Sequence, residues 1–400
     1  MVYLDNAATT RVCPEAAEAA VHMMTECFGN PSTTYKLGRE AKAAVDKARG
    51  QIAKALGCRP DEVYFTSCGS EGDNWALISG ARSMRRRGKH IISSAVEHDA
   101  VRKSLDFLEK EGYEITRLQP DGTGAIPLEA VRAALRPDTI LVSLMMVNNE
   151  TGAINDIAAV ARMLKAENSI ALLHTDAVQG FLKVPFSAKT LGADLITISG
   201  HKIHAPKGIG ALYIRSGLKL PPYIRGGGQE RGLVSGTENT AGFIGLAAAM
   251  QDACEHLDEK MGYVKKLTDK LVKGIMENIP YSHYTGDPVN RLPGTASFVF
   301  EAIEGEGLIL RLDNAGVCGS TGSACSTGSL DPSHVLMAIG LPHEIAHGSL
   351  RLTLGEQNTE EDVDYVIETV TDVVKTLRSM SPVWENGKPN LTAATELHAH

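Results

Sequence analysis

Six short runs, most of them nearly unbroken in apolar residues, set the tightest limit on what this chain can fold into. They are "EVYFTS" (62–67), "HIISS" (90–94), "TILVSLMMVNN" (139–149), "IALLHTD" (170–176), "DLITISG" (194–200) and "IGALYIR" (209–215). A strand with one wet face alternates apolar and polar residues, whereas one that is apolar throughout is buried on both faces. Helical patterns lie between the runs, among them 72–87, 100–111 and 157–167. The alternation predicts an α/β domain with a mostly parallel central sheet flanked by helices. A helical stretch over 240–279 leads into a second, smaller unit with an α+β pattern and a helix start at Thr359. The expected division is a large domain over 16–259 and a small domain built from 1–15 and 260–380. Residues 381–400 are polar and weakly patterned, and are expected to form a mobile tail.

The chain has 400 residues, 43% of them hydrophobic, and a formal charge of −8. That balance argues against binding nucleic acid or a membrane surface, which clusters of Lys and Arg would favour. The one basic run, "RSMRRRGKH" (82–90), reads as the end of a helix, where cations suit the dipole. No apolar run nears the ~20 residues that span a bilayer, and "MVYLDNAATT" lacks the features of a secretory signal. Seven scattered cysteines do not form a disulfide framework, so a reducing, cytoplasmic setting is expected. Two histidine pairs, "HKIH" (201–204) and "HEIAH" (343–347), invite a metal. The second has the HExxH spacing but sits between a proline and a β-like run with little room for a helix, so no metal site is expected.

Ligands of open parallel sheets sit beyond the carboxyl ends of the strands. After the first run comes "TSCGSEGDNWALISGAR", a Gly-Ser turn opening a helix, where Ser70 either caps the helix or joins a phosphate cradle. His98 follows the second run, Asn149 ends the third, and Asp176 and Gln179 follow in "HTDAVQ". Ser199, His201 and Lys202 stand together in "ITISGHKIHAPKG". A carboxylate at the end of a buried strand is costly unless it meets a cation. These residues fit one chemistry. A pyridoxal 5'-phosphate (PLP) site needs a lysine amine, an acid for the pyridine nitrogen and a phosphate cup. Lys202 and Asp176 supply the first two; Ser70, Ser199 and His201 supply the third, with His98 placed to stack and handle protons.

The chain resembles the cysteine desulfurases of the NifS/IscS type, within the fold-type I PLP enzymes. The matching stretches include "YLDNAATT", "TSCGSEGDN", "EHDAV", "NNETG", "SGHKIHAPKG", "SGTEN" and "GSTGSACSTG", and the likeness runs from Tyr3 to about Met380. The resemblance implies the PLP-dependent transferase fold and conversion of L-cysteine to L-alanine. Lys202 would be the Schiff-base lysine, Asp176 the partner of the pyridine nitrogen, Gln179 that of the phenolic oxygen, and His98 the ring-facing acid/base. Asn149 and Arg351 would bind the substrate carboxylate. Thr237, in "SGTEN", would complete the phosphate cup of a second subunit, which implies a homodimer.

Cys325 lies in "TGSACSTGS" (321–329), a stretch too short of side-chain atoms to bury a thiol. By resemblance it is the nucleophile that takes the substrate sulfur as a persulfide. It would pass that sulfur to an acceptor such as an iron–sulfur scaffold protein. Cys13, Cys27, Cys58, Cys68 and Cys254 read as packing residues; Cys318, seven positions before Cys325, could form a resolving disulfide with it only if the loop folds back, and none is expected. Val234 stands where the family usually has an arginine, with Arg231 as the nearest substitute. Two other readings stay open on sequence: a selenocysteine lyase or other fold-type I enzyme, and an inactive dimeric platform for sulfur trafficking.

Overall fold

Each of the six apolar runs contains a strand. The computed structural model describes residues 1–322 and 331–390. In chain order its strands are β1 (Val2–Tyr3), β2 (Val63–Thr66), β3 (His90–Ser94), β4 (Glu114–Leu118), β5 (Thr139–Ser143), β6 (Leu172–Asp176), β7 (Leu195–Ser199), β8 (Gly210–Ile214), β9 (Ser282–Tyr284), β10 (Thr295–Phe300), β11 (Val317–Cys318) and β12 (Ser349–Thr353). Seven strands form one sheet in the order β2-β8-β7-β6-β5-β3-β4. Every residue of β3, β5, β6, β7 and β8 is buried, the polar ones such as Ser93, His174 and Thr197 included.

The sheet is parallel except at β8, which runs antiparallel to both β7 and β2. The reason is the link. Ser199 reaches Gly210 through a single 3₁₀ turn, Gly200–Lys202, with no crossover helix to bring the chain back to the starting edge. The helix Gly69–Met84 crosses the sheet at close range, and Gly72 permits it. A Cβ there would lie 2.7 Å from Thr197 Cγ2.

The second unit holds the antiparallel sheet β12-β10-β9. Helices Leu257–Asn278, Gly305–Asn314 and Glu360–Met380 cover it, around a core of Phe298, Phe300, Leu271 and Leu308. Val2 and Leu4 join that core, and β1 pairs in parallel with β11. Thr359 starts the last helix with a capping box: its Oγ1 accepts from Asp362 N at 3.1 Å and Asp362 Oδ2 accepts from Thr359 N at 3.1 Å.

Some elements differ from the sequence reading. The helical stretch 240–279 is two helices, Thr240–Glu255 and Leu257–Asn278, broken at His256. Strand β4 was not expected, because "EITRL" is half exposed at the sheet edge and carries no apolar run. Part of the expected tail forms a short hairpin, Trp384–Glu385 with Lys388–Pro389. The Arg378 guanidinium lies 4.4 Å from the Trp384 ring centre and ties that hairpin to the last helix. "HEIAH" does form a helical turn, His343–Ala346, with the two imidazoles edge to face at 4.6 Å. Among the described residues no cluster of three metal-ligating side chains exists.

Candidate active site

The carboxyl ends of β3, β5, β6 and β7, together with β12 and the N-terminal segment, enclose one cavity of about 380 Å³. Lys202 and Asp176 both line it, and so do His98, Ser199, His201 and Ser70. Asn149, Gln179 and Arg351 complete the wall. Thr237 is exposed and is not part of this wall. Cys325 lies outside the described residues.

Lys202 follows β7 directly. Its Nζ donates to the carbonyls of Ala7 (2.6 Å) and Ala8 (2.8 Å), so the N-terminal segment fixes where the amine sits. Gln179 Nε2 donates to the same Ala7 carbonyl at 3.0 Å. Asp176, the last residue of β6, is buried and accepts from Val178 N at 2.8 Å. Burial pushes its carboxyl above the usual range, while His98 and Lys202 pull the other way. A cation set against it would restore the carboxylate.

His98 is the N-cap of helix Asp99–Lys110. Its Nδ1 accepts from Ala100 N at 3.1 Å. That bond places the proton of the neutral ring on Nε2, leaving an N–H donor at the other end of the ring. His201 is pushed down to about 4, first by burial and then by Lys202, Lys207 and Lys183. It is therefore neutral near pH 7 and serves as a hydrogen-bonding group, with Nδ1 3.3 Å from Thr9 Oγ1.

The start of helix Gly69–Met84 bears on one of the two readings of Ser70. The N-cap is Cys68, whose side chain makes no capping bond, and Ser70 lies inside the first turn. Ser70 is thus not the cap, and the first-turn amides have no side-chain acceptor there. Ser199 Oγ, on the facing strand, is buried and has no hydrogen-bond partner. An orphaned buried hydroxyl beside an uncapped helix start is what a phosphate group would satisfy. Cys68 lines this cavity.

Arg351, in β12, is 4% exposed and no surface cation. Its Nη2 donates to Asp5 Oδ1 at 2.8 Å and its Nη1 to the Asn149 carbonyl at 2.9 Å, while Nε has no partner. Asp5 offsets the cost of burying the guanidinium. Arg231 is held away from this wall: its Nη2 donates to Val63 O at 2.8 Å and its guanidinium lies 3.8 Å from the Tyr64 ring centre.

Three acidic groups in and around this wall escaped the sequence reading. Asp5, half-buried against Arg351, is one. Asp73, 1% exposed, lines the cavity with Oδ1 3.6 Å from His174 Nε2. Its position one turn beyond Ser70, on the helix face toward the sheet, was the available signal. Glu97 is fully buried behind His98. Its Oε1 accepts from Ser94 Oγ (2.7 Å) and Met145 N (3.0 Å), and its Oε2 has no partner.

Burial pushes Glu97 up from 4.5 to about 8. Between those values the folded chain holds a proton that the unfolded chain releases, so this group's contribution to stability falls as pH rises through that window. Its slope is at most about 1.4 kcal/mol per pH unit. Glu97→Gln removes the group. The stability of wild type minus that of the variant, from urea midpoints taken across pH 5–8, should therefore decline with pH. A flat difference would show that Glu97 titrates normally.

The Aminotransferase class-V family matches residues 2–366. Cysteine desulfurase IscS of Methanosarcina thermophila is 48% identical over 382 residues, covering 96% of this chain and 94% of that protein. Cysteine desulfurase NifS of Azotobacter vinelandii is 44% identical over 389 residues, covering 97% and 96%. Among solved structures, a NifS-like protein superposes with a TM-score of 0.89 at 39% identity, over 94% of this chain and all of that one. Family match, relatives and fold agree over nearly the whole chain, which belongs to the aminotransferase class-V family, among its cysteine desulfurases of the NifS and IscS type.

Proposed function

We propose that this chain is a PLP-dependent cysteine desulfurase. It converts L-cysteine to L-alanine and holds the sulfur as a persulfide on Cys325 for an acceptor protein, with an iron–sulfur scaffold as the expected class. The observation that carries the reading is the convergence of Lys202, Asp176, His98, Ser199 and Arg351 on one cavity. The donor set suits the cofactor: Ser199 Oγ and the uncapped helix start for its phosphate, Asp176 for its ring nitrogen, Gln179 for its phenolic oxygen. Bound PLP supplies the electron sink that makes the α-carbon of an attached amino acid acidic.

The protein's own residues do the rest. Arg351 orients the substrate carboxylate, using the unpaired Nε on a guanidinium already set by Asp5 and Asn149. Lys202 Nζ, held by the Ala7 and Ala8 carbonyls, carries the proton at the α-carbon. His98 Nε2 holds the second proton. Cys325 thiolate attacks the substrate sulfur; the carbon–sulfur bond breaks and a sulfur–sulfur bond forms. The thiol proton and electron pair are matched in alanine, so cysteine plus enzyme thiol gives alanine plus enzyme persulfide with no outside oxidant.

Thr237 would complete the phosphate cup of a second copy, making the active form a homodimer. The two hydrophobic cores favour a division into 16–259 and 1–15 with 260–380. No helix among the described residues is long and apolar enough to cross a membrane.

The test is release of sulfide and alanine from L-cysteine by the holoenzyme with a reductant present. Equal amounts are expected. Alanine from selenocysteine with none from cysteine would overturn the reading, as would pyruvate in place of alanine.

A further inference from the structure

A second cavity backs onto the active centre and has no part in the steps above. It measures about 90 Å³ and lies between the two hydrophobic cores. Ile203 and Leu292 of the first core line it, and so do Val264 and Leu354 of the second. Ala7, Gln179 and Lys202 line both cavities and form the wall they share. In that wall the Ala7 carbonyl accepts from Lys202 Nζ at 2.6 Å and from Gln179 Nε2 at 3.0 Å.

The charges around this cavity do not balance. Lys183, Lys202 and Lys260 line it against one carboxylate, Glu356, which already pairs with Lys260 at 2.8 Å. Lys202 Nζ rests on the Ala7 and Ala8 carbonyls. Lys183 differs: among the described residues its ammonium makes no hydrogen bond or ion pair. Burial, and then the charge of Lys202, push Lys183 down to about 7. The turn that delivers it is strained, since Leu182 just before it has a φ of +54°, a conformation that leucine adopts only at a cost. A half-buried cation among apolar neighbours with no anion is an unfinished ion pair.

We propose that this cavity is a binding site for a short monocarboxylate, whose carboxylate pairs with Lys183 and whose apolar end lies against Leu182, Ile203 and Leu292. The lining selects that class. An α-amino acid would bring an ammonium among three lysines, and a dianion would need a second cation without a partner. The size selects a short chain: a cavity of ~150 Å³ admits benzene, so this one takes about three or four carbons. Seams between two packed units, apolar with a few convergent polar groups, are common places for small ligands. Binding itself does not depend on the desulfurase reading; its consequence does. An anion behind the shared wall favours the charged form of Lys202, and so withdraws the neutral amine that takes the α-proton. Turnover should fall with no change in the hold on substrate, which Arg351 supplies from the other cavity.

The test titrates propionate into wild-type holoenzyme and into the Lys183→Met variant. Saturation transfer from protein protons to the propionate methyl reports binding. Initial rates of alanine formation over a range of L-cysteine concentrations report the effect on turnover. Wild type should bind propionate with a dissociation constant of about one millimolar, and Lys183→Met at least about tenfold more weakly. Saturating propionate should lower kcat of the wild type by about twofold or more with KM unchanged, and should leave kcat of the variant as it was. Lys183→Gln serves in the same way if Lys183→Met does not fold. Absence of binding, or equal affinity in wild type and variant, would overturn the proposal. So would inhibition of both that is competitive with L-cysteine, which would put the carboxylate at Arg351. Lys183-dependent binding to a holoenzyme that forms no alanine from L-cysteine would uphold the site and overturn the desulfurase reading.

Discussion

Replacing Lys202 by alanine should abolish turnover of L-cysteine, a loss of at least about 10⁴-fold, because the proposed mechanism makes one side chain both nucleophilic amine and proton carrier. The geometry leaves no understudy. Lys202 Nζ reaches its place because β7 ends at Ser199 and the chain turns at once through Gly200–Lys202. The Ala7 and Ala8 carbonyls then hold it at 2.6 and 2.8 Å. Lys183 and Lys207, the other lysines whose charge reaches His201, do not line the cavity that holds Asp176 and Arg351. Lys202→Arg makes the control. It keeps a cation and donors for both carbonyls but offers no amine nucleophile, so it should be as inactive as alanine. The check is alanine formed per enzyme, with urea midpoints to show that each variant folds. Turnover of Lys202→Arg within about tenfold of wild type would show that Lys202 acts only through its charge.

The fold was legible where burial leaves a one-dimensional mark. Strands buried on both faces must be apolar throughout, so β3, β5, β6, β7 and β8 stood out, and the residues after them fell at one sheet edge. Strand β4 has one exposed flank and blends into its surroundings. The site was legible to the same depth. Asp176, Ser199 and Lys202 follow from strand ends, because a parallel sheet gathers those ends. Arg351 and Asp5 are 346 positions apart and meet only through the packing of β12 against the N-terminal segment. No local pattern marks such a pair; the motif resemblance, not the spacing, pointed to Arg351. Glu97 and Asp73 were hidden for another reason. A carboxylate in a sequence is by default a solvated one, and only the structure shows that these two are shut away from water.

Cys325→Ala should lower sulfide and alanine formation together, by at least about 10³-fold, while leaving the cofactor bound. The two products fall together because the carbon–sulfur bond cannot break without an acceptor for the sulfur. The size of the effect follows from tethering. A small thiol in solution at millimolar concentration competes poorly with a thiol on the same chain, whose effective concentration in a well-placed reaction far exceeds that. Residual turnover of the variant should therefore rise in proportion to added dithiol, whereas wild-type alanine formation in the first turnover should not depend on it. Cys325→Ser is the sharper control: it keeps size and polarity but not the thiolate, since an ordinary thiol near pKa ~8.5 ionises to a useful extent at neutral pH and a hydroxyl does not. Serine should behave as alanine does. If either variant forms alanine at a rate close to wild type, the sulfur is taken by another thiol, of the chain or of the reductant, and not by Cys325. Cys325 would then have no part in breaking the bond, and the nucleophile would have to be sought elsewhere, with Cys68 the cysteine in the cavity wall.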